Sequence, residues 1–120
     1  MSEELSAVPL SLRTLQPSNV FQALGNATRL AMIRRLAAGV TLCVKDFVPL
    51  TRMTQDGVCR HIAVLLSAGL VEKVRPPDGD RRKSCYQIPS QFLVARNGLW
   101  ELECGSCVVR LNVPVTMASA

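Results

Sequence analysis

Residues 54–88, TQDGVCRHIAVLLSAGLVEKVRPPDGDRRKSCYQI, decide the fold. Val58, Ile62, Leu65 and Gly69 fall at helical spacing and make one apolar stripe, leaving Asp56, Cys59, Arg60 and Ala63 on the other side. Such a helix buries one face and presents the other. Directly after it, Leu70–Arg75 and Lys83–Ile88 read as two strands joined by the turn-formers Pro76-Pro77-Asp78-Gly79-Asp80. A helix followed at once by a charged hairpin is the element order of a winged helix-turn-helix. The expected class is α+β, mainly helical, with a β-hairpin wing.

Upstream, Thr54 is a good N-cap for the helix running to about Ala68, Thr51-Arg52-Met53 makes a turn, and Asp46–Leu50 is the expected first helix of the pair. Pro49 makes that helix short or irregular unless it falls in the first turn. Gly57 costs about 1 kcal/mol relative to Ala inside a helix, which close packing between helices would offset. Farther back, Pro17-Ser18-Asn19 opens a short helix through Leu24 with Ser18 or Asn19 as cap, and Gly25-Asn26 ends it. A second helix, Ala27–Ala38, turns Leu30, Ile33 and Ala37 inward and Arg34 outward, with Gly39 as its stop. Residues 1–16 read as an arm, apolar at loose helical spacing but broken by Pro9.

Downstream, Trp100–Cys104 and Cys107–Leu111 alternate with period two around Gly105-Ser106, whose glycine at the first central position suits a type II′ hairpin. Pairing Cys104 with Cys107 sets Leu102 opposite Val109, Trp100 opposite Leu111 and, on the other face, Glu101 opposite Arg110. An apolar side and an opposite-charge pair then arise from one register. The expected organisation is an arm (1–16), a DNA-binding winged helix (17–89) and an extension with a β-hairpin (90–120) belonging to the same domain.

A chain of 120 residues with 48% hydrophobic content suffices for one core. Its charge of +5 is unevenly placed: Arg29–Lys83 holds eleven basic and five acidic residues, the remainder three and four. The positive field belongs to the winged segment and suits a polyanion. Five cysteines, an odd number, without a signal peptide fit a reducing cytoplasm better than a secreted disulfide scaffold, and the apolar runs are too short to span a bilayer.

Phe21-Gln22-Ala23-Leu24-Gly25-Asn26-Ala27-Thr28-Arg29-Leu30, Cys59-Arg60-His61-Ile62 and Ser67-Ala68-Gly69-Leu70-Val71 occur in this order, and together they resemble the ArsR family of bacterial winged-helix repressors. The resemblance implies a homodimer that binds palindromic operator DNA and leaves it when an inducer binds. Two departures stand out. The arsenic-responsive branch carries Cys-Val-Cys-Asp where this chain has Cys43-Val44-Lys45-Asp46, so a cation replaces the second thiolate. The family's usual C-terminal dimerisation helix is replaced by the Cys104/Cys107 hairpin, and with His61 the sole histidine its zinc type of site is absent.

The residues expected to meet DNA are Thr54, Gln55, Asp56 and Arg60 at the start and outer face of the reading helix, His61 at its boundary, and Arg81, Arg82 and Lys83 beyond the hairpin turn. His61 lies roughly 60° from the centre of the apolar stripe, where it would bond backbone or phosphate. Asp78 and Asp80 partly cancel the wing's cations. Cys104 and Cys107 are either a thiol sensor, for a metalloid or an oxidant, or small hydrophobes facing inward. No metal, cofactor or catalytic constellation is expected, since there is one histidine and no glycine-rich phosphate loop. The competing function is a thiol-based redox or metal-binding protein using the C-terminal pair.

Overall fold

The computed structural model describes residues 15–38 and 41–115. The arm as far as residue 14 and the stop at Gly39 lie outside them. Helix α1 is Pro17–Leu24 and α2 is Ala27–Ala37. The N-cap of α1 is Gln16, not Ser18 or Asn19, because Pro17 takes the first helical position, where its fixed φ fits and its missing N–H costs nothing. Asn26 caps α2, its Oδ1 accepting from Arg29 N at 3.1 Å. Met32, Ile33, Leu36 and Ala37 are buried, while Leu30 is only half-buried. Arg34 is exposed as expected, yet its Nε donates to Leu111 O at 2.9 Å, tying α2 to the far end of the chain.

A two-residue strand, β1 (Leu42–Cys43), leads into α3 (Val44–Thr51). This helix begins earlier than expected and contains Pro49 in its second half. Its start is capped by Asp46 Oδ2, which accepts from Cys43 N at 2.8 Å. Arg52, in the left-handed region at φ 58°, ends it with its N–H on Val48 O at 2.9 Å. Helix α4 spans Gln55–Ser67 behind Thr54, whose Oγ1 accepts from Gly57 N at 3.2 Å. Val58, Ile62 and Leu65 are buried in one core with Val20, Ile33, Phe47, Leu102 and Leu111. Gly57 makes room for the turn and not for another helix: a Cβ there would stand 3.1 Å from Met53 Cε.

Gly69 closes α4. It has φ 80°, its N–H reaches Leu66 O at 3.0 Å and Leu70 N reaches Leu65 O at 3.0 Å, the paired bonds of a Schellman stop. An added Cβ would also meet Leu15 Cδ2 at 2.8 Å.

The wing is smaller than its sequence pattern, with β2 at Glu72–Val74 and β3 at Cys85–Gln87. It gains a partner the sequence did not announce, since β1 pairs with β3 to give the order β1-β3-β2. After a 3₁₀ turn at Ser90–Phe92 come β4 (Leu93–Arg96), β5 (Leu99–Glu103) and β6 (Val108–Pro114), a second antiparallel sheet in that order. The C-terminal hairpin is thus two strands of three. Leu102 opposes Val109 and Glu101 opposes Arg110, as the alternation requires, and Gly105 has the positive φ of the expected turn, 89°. Trp100, however, opposes Val113 and not Leu111, because the ladder shifts between Trp100 and Glu101. Asn112 on the facing strand takes φ 57° there, absorbing the extra residues, while Leu111 and Val113 stay buried.

Candidate nucleic-acid interface

The reading helix and the wing meet across a cleft of about 580 Å³ lined by residues that include Lys45, Gln55, Cys59, Arg82, Lys83 and Tyr86. Three expected contact residues, Gln55, Arg82 and Lys83, therefore share one concavity. Thr54, Asp56 and Arg60 are exposed on the same helix, and Arg81 is exposed in the wing loop. Among the described residues Arg60 and Arg81 make no ion pair, which leaves both guanidinium groups available to a phosphate or a base edge. The Thr54 oxygen is already an acceptor in the cap, so what remains to it is its hydroxyl proton as a donor.

The other wing cations are internally engaged. Arg82 holds Asp80 with two nitrogens, Nε to Oδ1 at 3.1 Å and Nη2 to Oδ2 at 3.2 Å, and Lys83 Nζ pairs with Asp78. Those bonds draw both carboxyls below their ordinary range, through Lys83 for Asp78 and Arg82 for Asp80, and raise Lys83 through Asp78. All four groups lie at the surface, with Asp80 the most covered, so the pairs are weak and can open to a phosphate.

His61 is half-buried, and its partner is a side chain, neither backbone nor phosphate. Arg29 Nη1 donates to Nδ1 at 3.2 Å while Arg29 Nε donates to Ala23 O at 2.6 Å. Because arginine only donates, Nδ1 must be the bare nitrogen and Nε2 carries the proton. Burial first, and the Arg29 charge second, lower the His61 pKa below its ordinary 6.5. The pair stitches the opening motif to the reading helix over 32 positions.

Sequence reasoning missed three features of this region. Lys45 was noticed only as the cation in place of a thiolate, yet it lines the cleft. Arg29 lies in the motif Asn26-Ala27-Thr28-Arg29 without any local sign of its histidine partner. Cys43 and Cys85, which no local pattern in the chain pairs, face each other in register, with their sulfurs joined in a disulfide.

The Cys104/Cys107 pair lies elsewhere, at the β5–β6 turn, with Cys104 N donating to Cys107 O at 2.9 Å. Cys104 is fully buried, and burial, with Cys107 beside it, pushes its thiol up to about 12, so it stays protonated at neutral pH. Among the described residues no three His, Cys, Asp or Glu side chains converge to hold a metal, and no helix is long and apolar enough to cross a membrane. A second cavity of about 480 Å³, between α1 and α4, is lined by residues that include Ala23, Arg29, Ala63, Val64 and Ala68.

No protein-family model matches the chain. A Halobacterium salinarum protein named as an arsenical resistance operon repressor, ArsR, is 38% identical over 100 residues, covering 80% of this chain and 74% of that protein. Among solved structures, HlyU from Vibrio cholerae superposes with a TM-score of 0.52 at 21% identity, over 59% of this chain and 72% of its own. An ArsR family transcriptional regulator, RHA00566, gives 0.52 at 24% identity, over 62% and 71%. The two solved structures establish the fold, and the Halobacterium salinarum relative establishes descent. The chain belongs to the ArsR family of winged-helix, DNA-binding transcriptional regulators.

Proposed function

We propose that this chain is a repressor that grips a DNA operator as a homodimer in the cytoplasm, with α4 in the major groove and the wing on the adjoining backbone. The observation that carries this reading is the shared cleft, where Gln55 of α4 faces Arg82 and Lys83 of the wing across about 580 Å³. Arg60 and Gln55 supply base-edge contacts, Arg81, Arg82 and Lys83 supply phosphate contacts, and Thr54 and Asp56 set the start of the helix. His61 serves by bracing α4 through Arg29 rather than by touching DNA. Two copies are required for useful site length, and exposed Phe21, Val64 and Leu66 offer apolar surface for pairing. Half-sites should lie about 10 base pairs apart.

An inducer, whether a small molecule or a metalloid, fits the family pattern. Lys45 in place of a thiolate argues against arsenic at Cys43, and the buried, protonated Cys104 favours core packing for the C-terminal pair over sensing or metal binding. The test is duplex binding by fluorescence anisotropy across a salt series. Affinity should fall steeply, with log K dropping about 0.9 per phosphate contact for each decade of salt. Arg60→Ala should weaken the selected sequence by about 1–3 kcal/mol and relax its specificity. Binding that ignores salt, or no binding to any duplex at low salt, defeats the proposal.

A further inference from the structure

Cys43 is the last residue of β1 and stands at the N-cap of α3, while Cys85 begins β3 of the wing. Their bond is thus the one covalent link, apart from the chain itself, between the helix-turn-helix and the wing among the described residues. Without it, β1 is held to β3 by a two-residue ladder, by Val44 N on Ser84 O at 3.1 Å and by Thr41 Oγ1 on Gln87 Oε1 at 3.4 Å. That is little to fix the angle of a hairpin against a helix pair. The two sulfurs differ in access. Cys85 is fully buried, whereas Cys43 is half-buried and lines the cleft with Gln55, Cys59, Lys45 and Lys83. A reagent small enough for the cleft reaches Cys43 before the buried Cys85.

We propose that Cys43 and Cys85 form an oxidation site for hydroperoxides that sets the grip of the wing on DNA, a proposal that rests on the DNA-binding reading above. The Cys43 thiolate attacks one peroxide oxygen, the O–O bond breaks, and the departing hydroxide takes a proton to become water. Cys43 is left as the sulfenic acid. The Cys85 sulfur then attacks Cys43 Sγ, the S–S bond forms, the S–O bond breaks, and a second water leaves with the Cys85 proton. Two thiols lose two electrons and hydrogen peroxide gains them. A dithiol reverses this: one of its sulfurs attacks Cys43 Sγ and expels Cys85, and its second sulfur then frees Cys43 as the dithiol itself becomes oxidised. In the reducing cytoplasm proposed above, disulfides are generally transient, sensing or catalytic, which fits a bond that opens and closes.

The bonded state holds wing and reading helix in the arrangement that faces one cleft, so less freedom is lost on binding and the duplex is held more tightly. Reduction loosens the wing. The comparison is anisotropy of the full chain with a fluorescent duplex enriched from a random-sequence library, after hydrogen peroxide and after dithiothreitol. Peptide mass mapping follows the Cys43–Cys85 bond in each sample. The oxidised chain should bind about tenfold more tightly. Cys43→Ser and Cys85→Ala should bind alike in both buffers. Cys59→Ser should keep the wild-type ratio between buffers, whatever its absolute affinity.

Equal affinity in the two buffers, while mapping shows the bond opened and closed, overturns the switch and leaves the DNA-binding reading standing. A response that survives in Cys43→Ser and vanishes in Cys59→Ser moves the site to Cys59 and overturns it too, as does failure of peroxide to close the bond. If neither state holds any duplex, the DNA-binding reading falls and takes the switch with it. The wild-type arms decide the matter even if a variant fails to fold.

Discussion

The described residues form two small antiparallel sheets that use charge in opposite ways. In the wing, every ion pair is local: Asp80 with Arg82, two residues apart, and Asp78 with Lys83, five apart. All of it sits at an exposed loop. In the C-terminal sheet, Glu101 is buried with its side chain only 7% exposed, bonded by Arg96 Nη1 at 2.9 Å and approached by Arg110 Nε at 3.5 Å from the two flanking strands. The first arrangement stores cations where a polyanion can take them over, and the second consumes charge to set strand order. The strands agree with this division. Those of the wing sheet have two or three residues, whereas β4, β5 and β6 have four, five and seven and deliver Leu102, Leu111 and Val113 to the core. One sheet is a tool and the other a foundation.

The contrast is most easily broken at Leu102. Its side chain is wholly buried, so Leu102→Ala should cost about 2–5 kcal/mol of unfolding free energy in urea titration. A loss below about 1 kcal/mol would show that the C-terminal sheet does not support the core.

Next comes Glu101→Gln, which keeps the shape and removes the charge that Arg96 and Arg110 share. Both arginines are largely in solvent, so we expect a loss of only about 1–2 kcal/mol, with no change in affinity for DNA.

The matching change in the wing is Asp80→Asn. It should leave stability almost unchanged, because the pair lies at the surface, yet it releases Arg82 for a phosphate. Duplex affinity should rise, and the slope of log K against log salt should steepen by up to about 0.9. If instead stability collapses and the slope is unchanged, the wing's ion pairs are structural and the two sheets are alike.

The smallest effect concerns His61. Its folded pKa lies below the ordinary 6.5, so the unfolded chain takes up the proton first as the pH falls. The contribution of the neutral, Arg29-bonded ring is complete above about pH 6.5 and is lost as the pH falls through the lowered folded value. Stability measured between about pH 7.5 and 5.5 should therefore decline on acidification, and His61→Gln should flatten that part of the profile. An unchanged profile in the variant would remove His61 from the account.

Much of this was legible along the chain. The stripe of Val58, Ile62 and Leu65, the Thr54 cap and the pairing of Glu101 with Arg110 are all periodic or near-neighbour features. β4 also carries a local sign: Asn97-Gly98, with φ 54° and 76°, is a strong two-residue hairpin signal, and it joins Leu93–Arg96 to Leu99–Glu103. Pro49 fits a short helix, as expected, although α3 starts two residues before the expected Asp46. A helix of eight residues has few internal bonds to lose, so a proline in its second half is tolerated where a long helix would kink.

By itself, then, the sequence determined the helix-turn-helix, the wing, the turn at Gly105 and the basic character of the central segment, since each depends on residues within a few positions of one another. Only the tertiary structure decided that Cys85 meets Cys43 across 42 positions, that Arg29 braces His61 across 32, and that Lys45, Gln55 and Arg82 line one cleft. Such meetings are set by how α3, α4 and the two sheets dock on the shared core. A docking angle is the sum of many side-chain packings, and no local pattern in the chain carries it.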